Sequence, residues 1–351
     1  MTNLSPTIDI HTHYVPNGWP DLAQETGANG PWPWLRSDSE REAMLMLGSA
    51  EFRPLRSNAW AAEERLAAMD ADGVDVQVVS PTPVFFSYAR DPKEAVKVSR
   101  IFNDLALEVC DPAPQRLIPF CQVPLQDTDA ACRELDRSLE NGHVGVEIGN
   151  HVGDRDLDDE GIITFLQHCA DRNAAVFVHP WDMPTSPRLD RWMARWLVGM
   201  PGETHLSILS LILGGGFDRL PAHLRLCFAH GGGSFPYWVG RMDNAWHQRP
   251  DLIATSEFPP SHYLNRFSVD SVVFNDASLR LLTDVMGSEH IMLGSDFPYP
   301  LGERPAGNLI RKSAFLTQEQ QSQILSSNAQ KFLGMDVDAD VRTFNETPAS
   351  A

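Results

Sequence analysis

Short apolar runs alternate with longer amphipathic ones along the whole chain. Eight runs rich in Val, Ile and Phe read as strands buried on both faces: Ile8–His11, Val74–Ser80, Leu117–Val123, Val144–Ile148, Ala175–His179, Leu224–Ala229, Phe267–Phe274 and Ile291–Gly294. Helical spacing fills the gaps at Trp60–Asp72, Lys93–Cys110, Asp127–Asn141, Asp158–Asn173, Glu203–Leu213, Phe235–His247, Ala277–Met286 and Thr317–Leu333. The third of these opens on capping residues and stops at Gly142. The last opens on the capping box Thr317-x-x-Gln320 and stops at Gly334. Eight strands alternating with helices predict an α/β fold, a (β/α)8 TIM-like barrel of parallel βα units. An open doubly wound sheet is the rival, but no GxGxxG follows the first strand.

One stretch breaks the rhythm. Residues 16–58 are rich in Gly, Pro and Trp and form a first βα connection far longer than usual, so a lid or small insertion subdomain is expected there. The barrel domain should then cover 1–335 as one unit, with a loose polar tail over 336–351.

Composition narrows the chemistry. The chain has 351 residues, and 28 Lys+Arg against 47 Asp+Glu give a net charge of −19. That sign argues against nucleic acid or an anionic membrane as partner, since both are polyanions. An anionic substrate must meet a local cationic patch. The apolar run Leu206–Leu213 is far shorter than the ~20 residues of a membrane span, and the first residues lack the pattern of a secretory leader. The five cysteines (Cys110, Cys121, Cys132, Cys169 and Cys227) are scattered and contain no CxxC pair. They read as reduced thiols of a cytoplasmic protein. The four lysines sit in helical stretches or at their edges, which disfavours Schiff-base chemistry.

Polar residues at the strand ends stand out against this background. Strand one ends in Asp9-Ile10-His11-Thr12-His13, and positions i and i+2 of a strand share a face. His179 closes the fifth strand, His230 the sixth, and Asp296 the eighth. Active sites of such barrels lie where the carboxyl ends of the strands meet. Imidazole and carboxylate are what zinc accepts when no thiolate is offered. His11, His13, His179 and Asp296 form a candidate shell for one divalent ion, with His230 free to act as a base. Strand four carries Glu147 and no lysine to bridge two metals, so a single ion is expected and Glu147 should pair with a neighbouring strand.

These residues sit within a longer series of motifs: DIHTHYVP, FRPL, MDADGVDVQVVSPTPVFFSY, QVPLQD, HVGVEIGNHVGDRDLDD, FVHPWDM, RWLVGMPGET, CFAHGGGSFPYWVGRMDNAW, LGSDFPYPLGE and NAQKFLG. Through them nearly the whole chain resembles the amidohydrolase superfamily. Within it, HPWDM, WLVGMP, HGGGSFP and SDFPYPLGE resemble the 2-amino-3-carboxymuconate-6-semialdehyde decarboxylase family. The resemblance implies a carbon–carbon lyase that removes CO2 without oxygen. It implies one Zn2+ per subunit on His11, His13, His179 and Asp296, and His230 as the acid/base group. It also implies that Arg53 of FRP and Arg241 of WVGR grip the carboxylated substrate, Arg241 reaching the neighbouring subunit's site in a homodimer. Trp196 is implied as a pocket residue, and Trp181, two positions after His179, is a similar candidate. A lysine that some members carry just before FRP is absent, with Ser49 or Ala50 in its place, and Phe297 and Tyr299 arrange the strand-eight aromatic pair differently. Those departures bear on the choice of substrate. The alternatives are a decarboxylase of a hydroxybenzoate-type aromatic acid and a mononuclear, lactonase-like hydrolase.

Overall fold

A computed structural model describes residues 5–253 and 255–335. The tail expected over 336–351 lies outside the described residues. Strand β1 (Ile8–Tyr14) is followed by a small antiparallel sheet of β2 (Pro33–Ser37), β3 (Glu42–Leu47) and β4 (Ala50–Arg56). The main sheet resumes with β5 (Val76–Pro81), β6 (Leu117–Cys121), β7 (Gly145–Gly149), β8 (Ala175–His179), β9 (Leu226–Phe228), β10 (Ser268–Asp270) and β11 (Ile291–Met292). Its order is β1-β5-β6-β7-β8-β9-β10-β11 with every neighbouring pair parallel. Backbone bonds from Ile10 N–H to Leu293 O (2.9 Å) and from His13 N–H to Phe297 O (2.6 Å) join the last strand's segment to the first and close the barrel.

Helices α1 (Ala62–Asp72), α2 (Pro92–Cys110), α3 (Thr128–Glu140), α4 (Glu160–Asp171), α5 (Met200–Leu213), α6 (Phe235–Gln248) and α7 (Asp276–Met286) fall between successive strands, and α8 (Asn328–Leu333) follows the last. This is the βα repeat read from the apolar pattern. The barrel interior is filled by Ile8, Val76, Val78, Ile118, Phe120, Phe177, Cys227 and Met292, with Phe332 and Leu333 of α8 packed on the same cluster. A second apolar layer lies between the strands and helices. No Cβ fits on Gly145, where one would sit 2.5 Å from Ala175 O and 2.6 Å from the Phe120 ring.

Two of the boundaries that differ from expectation have clear local causes. The strand expected over Phe267–Phe274 shrinks to Ser268–Asp270, because the chain turns at Asp270 and Phe274 takes a left-handed φ of 65°. The helix expected from Glu203 begins earlier, since Pro201 is tolerated in a first turn and a π-turn at Arg195–Gly199 runs into α5. The resulting helix, Arg195–Leu213, has 19 residues and a mean hydropathy of 1.2, so by length and composition it meets the requirement of a membrane span. One third of that apolar stretch is buried in the fold.

Candidate active site

The ends of four barrel strands bring five side chains to one point. In β1 the pairing with β5 shifts between Asp9 and Thr12. His11 and His13 are both buried, with their Nε2 atoms 3.2 Å apart. His179 is the last residue of β8, its ring centroid 5.1 Å from that of His11 and 4.9 Å from that of His13. His230 follows β9, its ring 5.1 Å from those of His11 and His179. Asp296 follows β11, and its N–H donates to His11 O at 2.9 Å. Its Oδ1 lies 3.3 Å from His13 Nε2 and 3.5 Å from His11 Nε2. His230 (φ 55°) and Asp296 (φ 58°) both occupy the left-handed region, a strain typical of functional positions.

Electrostatics follow from burial and mutual contact. Burial pulls the His11 imidazole down, but the Asp270 hydrogen bond and charge outweigh it and raise its pKa to about 9. Burial wins at His13, which falls to about 4 against the opposing Asp296 contact. His179 is driven well below the ordinary range by burial and the neighbouring rings. His230 is lowered by burial and by the His11 charge. Burial alone would raise the Asp296 carboxyl, yet contacts with His13 and His11 hold it well below the usual carboxylate range.

The imidazoles are oriented from behind. His11 Nδ1 donates to Asp270 Oδ2 at 2.5 Å, and His179 Nδ1 donates to Pro180 O at 2.9 Å. His13 Nδ1 faces Pro81 O at 3.3 Å, with Glu147 Oε2 at 3.8 Å. Glu147 does not make the expected strand-to-strand pair. Both its oxygens are buried without a hydrogen-bond partner, because the side chain points into the barrel beneath His13. The sequence reading missed Asp270 and Arg65. Arg65 is fully buried and donates to His13 O, to Thr12 Oγ1 (3.2 Å) and to Gln77 Oε1 (3.0 Å), so it fixes the backbone of β1. A lone arginine on a helix or aspartate in an apolar run carries no spacing signal.

A cavity of about 810 Å³ opens over the cluster. Its walls include Phe52, Arg53, Trp181, Trp196 and Tyr299, so the structure brings Arg53 and both candidate tryptophans to the site. Arg53 lies on β4 of the small sheet, its guanidinium 4.1 Å from the Tyr299 ring centre. Phe52 meets Trp181 edge to face at 6.1 Å. The insertion therefore touches both the β8 and β11 sides of the opening. Tyr299 is pinned through Thr82, whose hydroxyl donates to Tyr14 O at 2.8 Å and accepts from the Tyr299 hydroxyl at 2.5 Å. Arg53 is the one Lys or Arg among the residues lining this cavity. Arg241 is not brought to it. It lines a second cavity of about 460 Å³ between α5 and α6, with Leu209, Trp238 and Met242.

The donor set fits a divalent metal ion. One atom each from His11, His179, His230 and Asp296 lie within 4.8 Å of one another, and His13 Nε2 adjoins them. Nitrogen and carboxylate donors aimed at one buried point, with outer hydrogen bonds fixing the rings, suit a zinc-like ion.

A parallel barrel carrying at its carboxyl end a His/Asp group that could hold a metal ion is the architecture of a class of metal-dependent enzymes. The chain belongs to the amidohydrolase family, which it matches over residues 8–335, and within it to the group of the 2-amino-3-carboxymuconate-6-semialdehyde decarboxylases. It is 39% identical to that decarboxylase of Dictyostelium discoideum, over 94% of this chain and 92% of the relative. The enzyme of the same name from Caenorhabditis elegans is 31% identical, over 95% and 96%. In fold the chain is similar to the dihydroxybenzoic acid decarboxylase of Polaromonas sp. JS666, a structure with bound manganese. That match has a TM-score of 0.75 and 20% identity, and covers 94% of this chain and 97% of the other.

Proposed function

We propose that this chain is a non-oxidative, metal-dependent decarboxylase that releases CO2 from 2-amino-3-carboxymuconate-6-semialdehyde or a close carboxylated analogue. The observation that carries this reading is the cavity that holds the His/Asp cluster and the Arg53 guanidinium together, with no lysine in its walls. The two relatives of that name support the substrate.

In this reading His11, His13, His179 and Asp296 hold one zinc ion per subunit. Such an ion supplies Lewis acidity beside the substrate and lowers the pKa of water toward neutrality. Arg53 takes the substrate carboxylate through its planar, bidentate fork. Phe52, Trp181, Trp196 and Tyr299 flank the conjugated chain and exclude solvent. His230 handles the proton. The bond to the carboxyl carbon breaks, its electron pair remains on the substrate carbon, and a proton that His230 takes from water is passed to it as CO2 leaves. One proton is consumed and nothing is oxidised.

A homodimer belongs to the same proposal. A diacid needs two anion grips, and this cavity contains one arginine. Arg241 lies outside it, beside the exposed Trp238 (43%), while Tyr237 (68%) and Leu197 (61%) stand exposed among the residues lining the cavity. Exposed apolar surface of this kind marks a contact face. The cytoplasm is the proposed setting, supported by five free thiols.

The aromatic walls also favour a second substrate, a flat hydroxybenzoate-type acid. Purified protein loaded with zinc, or separately with manganese, should release CO2 from the muconate semialdehyde faster than from dihydroxybenzoates, and should leave lactones intact. Lactone cleavage without CO2 release from any acid would replace the decarboxylase reading with a hydrolase.

A further inference from the structure

Asp270 ends β10 with its carboxylate wholly buried and both oxygens engaged. Oδ2 accepts from His11 Nδ1 at 2.5 Å and from the His230 N–H at 2.9 Å. Oδ1 accepts from the N–H groups of Gly231 at 2.8 Å and Val272 at 3.0 Å. Gly294 packs close against both residues: a Cβ there would sit 2.8 Å from Asp270 Cβ and 2.9 Å from His11 Cβ. The segment it holds needs anchoring. His230, Gly231, Gly232 and Gly233 have consecutive φ values of 55°, 61°, 73° and 62°, an unfavourable run for the one residue among them with a side chain.

We infer that Asp270 is a positioning residue that sets His230 in register with the metal-ligand cluster, because the carboxylate that orients His11 also anchors the main chain carrying His230. This rests on the reading of His230 as the proton-handling group. It adds that metal loading and base placement pass through one side chain.

The charge-neutral variant Asp270→Asn offers a single oxygen and turns an amide N–H2 toward donors. Its metal dissociation constant, measured by chelator competition, should rise about 10–100-fold. At saturating metal kcat should stay depressed about 100-fold, because a small misplacement of a reacting group has that effect. KM should move by less than about threefold, since Arg53 is untouched. Asp270→Glu, which keeps the charge but shifts it by one methylene, should recover metal affinity and leave kcat low. Recovery of kcat by excess metal in Asp270→Asn would overturn the inference, as Asp270 would then serve His11 alone. Loss of KM in step with kcat would also overturn it, in favour of a general structural role. One arm uses the unaltered protein: metal loading should slow deuterium exchange of the His230 and Gly231 amides about tenfold or more. Unchanged exchange overturns the proposal. Metal affinity and exchange are both read without turnover, so they separate this inference from the decarboxylase assignment.

Discussion

His179 and Asp296 each supply one donor to the cluster from a different strand. Replacing either with Ala should lower bound metal at least about 100-fold in affinity and abolish CO2 release, as measured by elemental analysis and gas evolution. Full metal with full turnover would disprove the shell. These positions were legible in the sequence for a physical reason. His11 and His13 share a strand face, and His179, His230 and Asp296 fall at the ends of apolar runs where a barrel gathers its active groups. Asp270 was not legible. Its partner His11 is 259 positions away, and an aspartate within Ser268–Val273 carries no periodic signal. The expected pairing of Glu147 failed for a related reason. A strand pattern gives the face of a side chain but not whether a partner waits there, and inside this barrel Glu147 lies at the back of His13.

At the scale of elements, the long first connection was recognisable from its Gly, Pro and Trp content, while its three-stranded sheet was not. The strand β4 has no clean alternation of buried and exposed positions, since much of it faces the cavity instead of a core. That placement puts Arg53 over Tyr299 at the cavity wall. Arg53→Met keeps the stem and removes the fork. Charge-assisted hydrogen bonds contribute about 1.5–3 kcal/mol, so KM for the carboxylated substrate should rise about 10–100-fold with bound metal unchanged. An unaltered KM would remove Arg53 from the binding site. A second element carries an acid-sensitive group. His143, between α3 and β7, is buried, and its Nδ1 donates to Ser138 O at 3.1 Å while Nε2 has no partner. Burial, only partly offset by the Ser138 carbonyl, lowers its pKa to about 4 from an ordinary 6.5. The folded protein therefore prefers the neutral ring. Its stabilisation is complete above about pH 6.5 and is lost as pH falls toward 4, a contribution on the order of 3 kcal/mol. His143→Gln should flatten that limb, seen as a smaller gap between urea midpoints at pH 7 and pH 4.5 than in the unaltered chain. An equal gap would show that His143 is not the group responsible.

The whole molecule carries a net charge of −19, so a dianionic substrate approaches against the overall field and must find its cations locally. Within one chain the cavity offers Arg53 alone, while Arg241 stands on α6 beside a different, apolar hollow. The proposed dimer resolves this by letting each chain lend Arg241 to the other. The exposed apolar residues along Arg195–Leu213 and at Tyr237 and Trp238 then become contact surface. Such sharing has a signature no single-chain site can produce. Arg241→Ala and His230→Ala should each be nearly inactive as pure proteins. Mixed and allowed to exchange subunits, they form heterodimers in which one site has an intact His230 and receives an intact Arg241, while the other lacks both. At equal amounts about a quarter of all sites are whole, so about a quarter of the natural rate should return. Recovery should scale with the fraction of heterodimer seen by native mass spectrometry. A mixture that exchanges subunits yet stays inactive would confine each active site to its own chain and leave Arg241 with only a surface role.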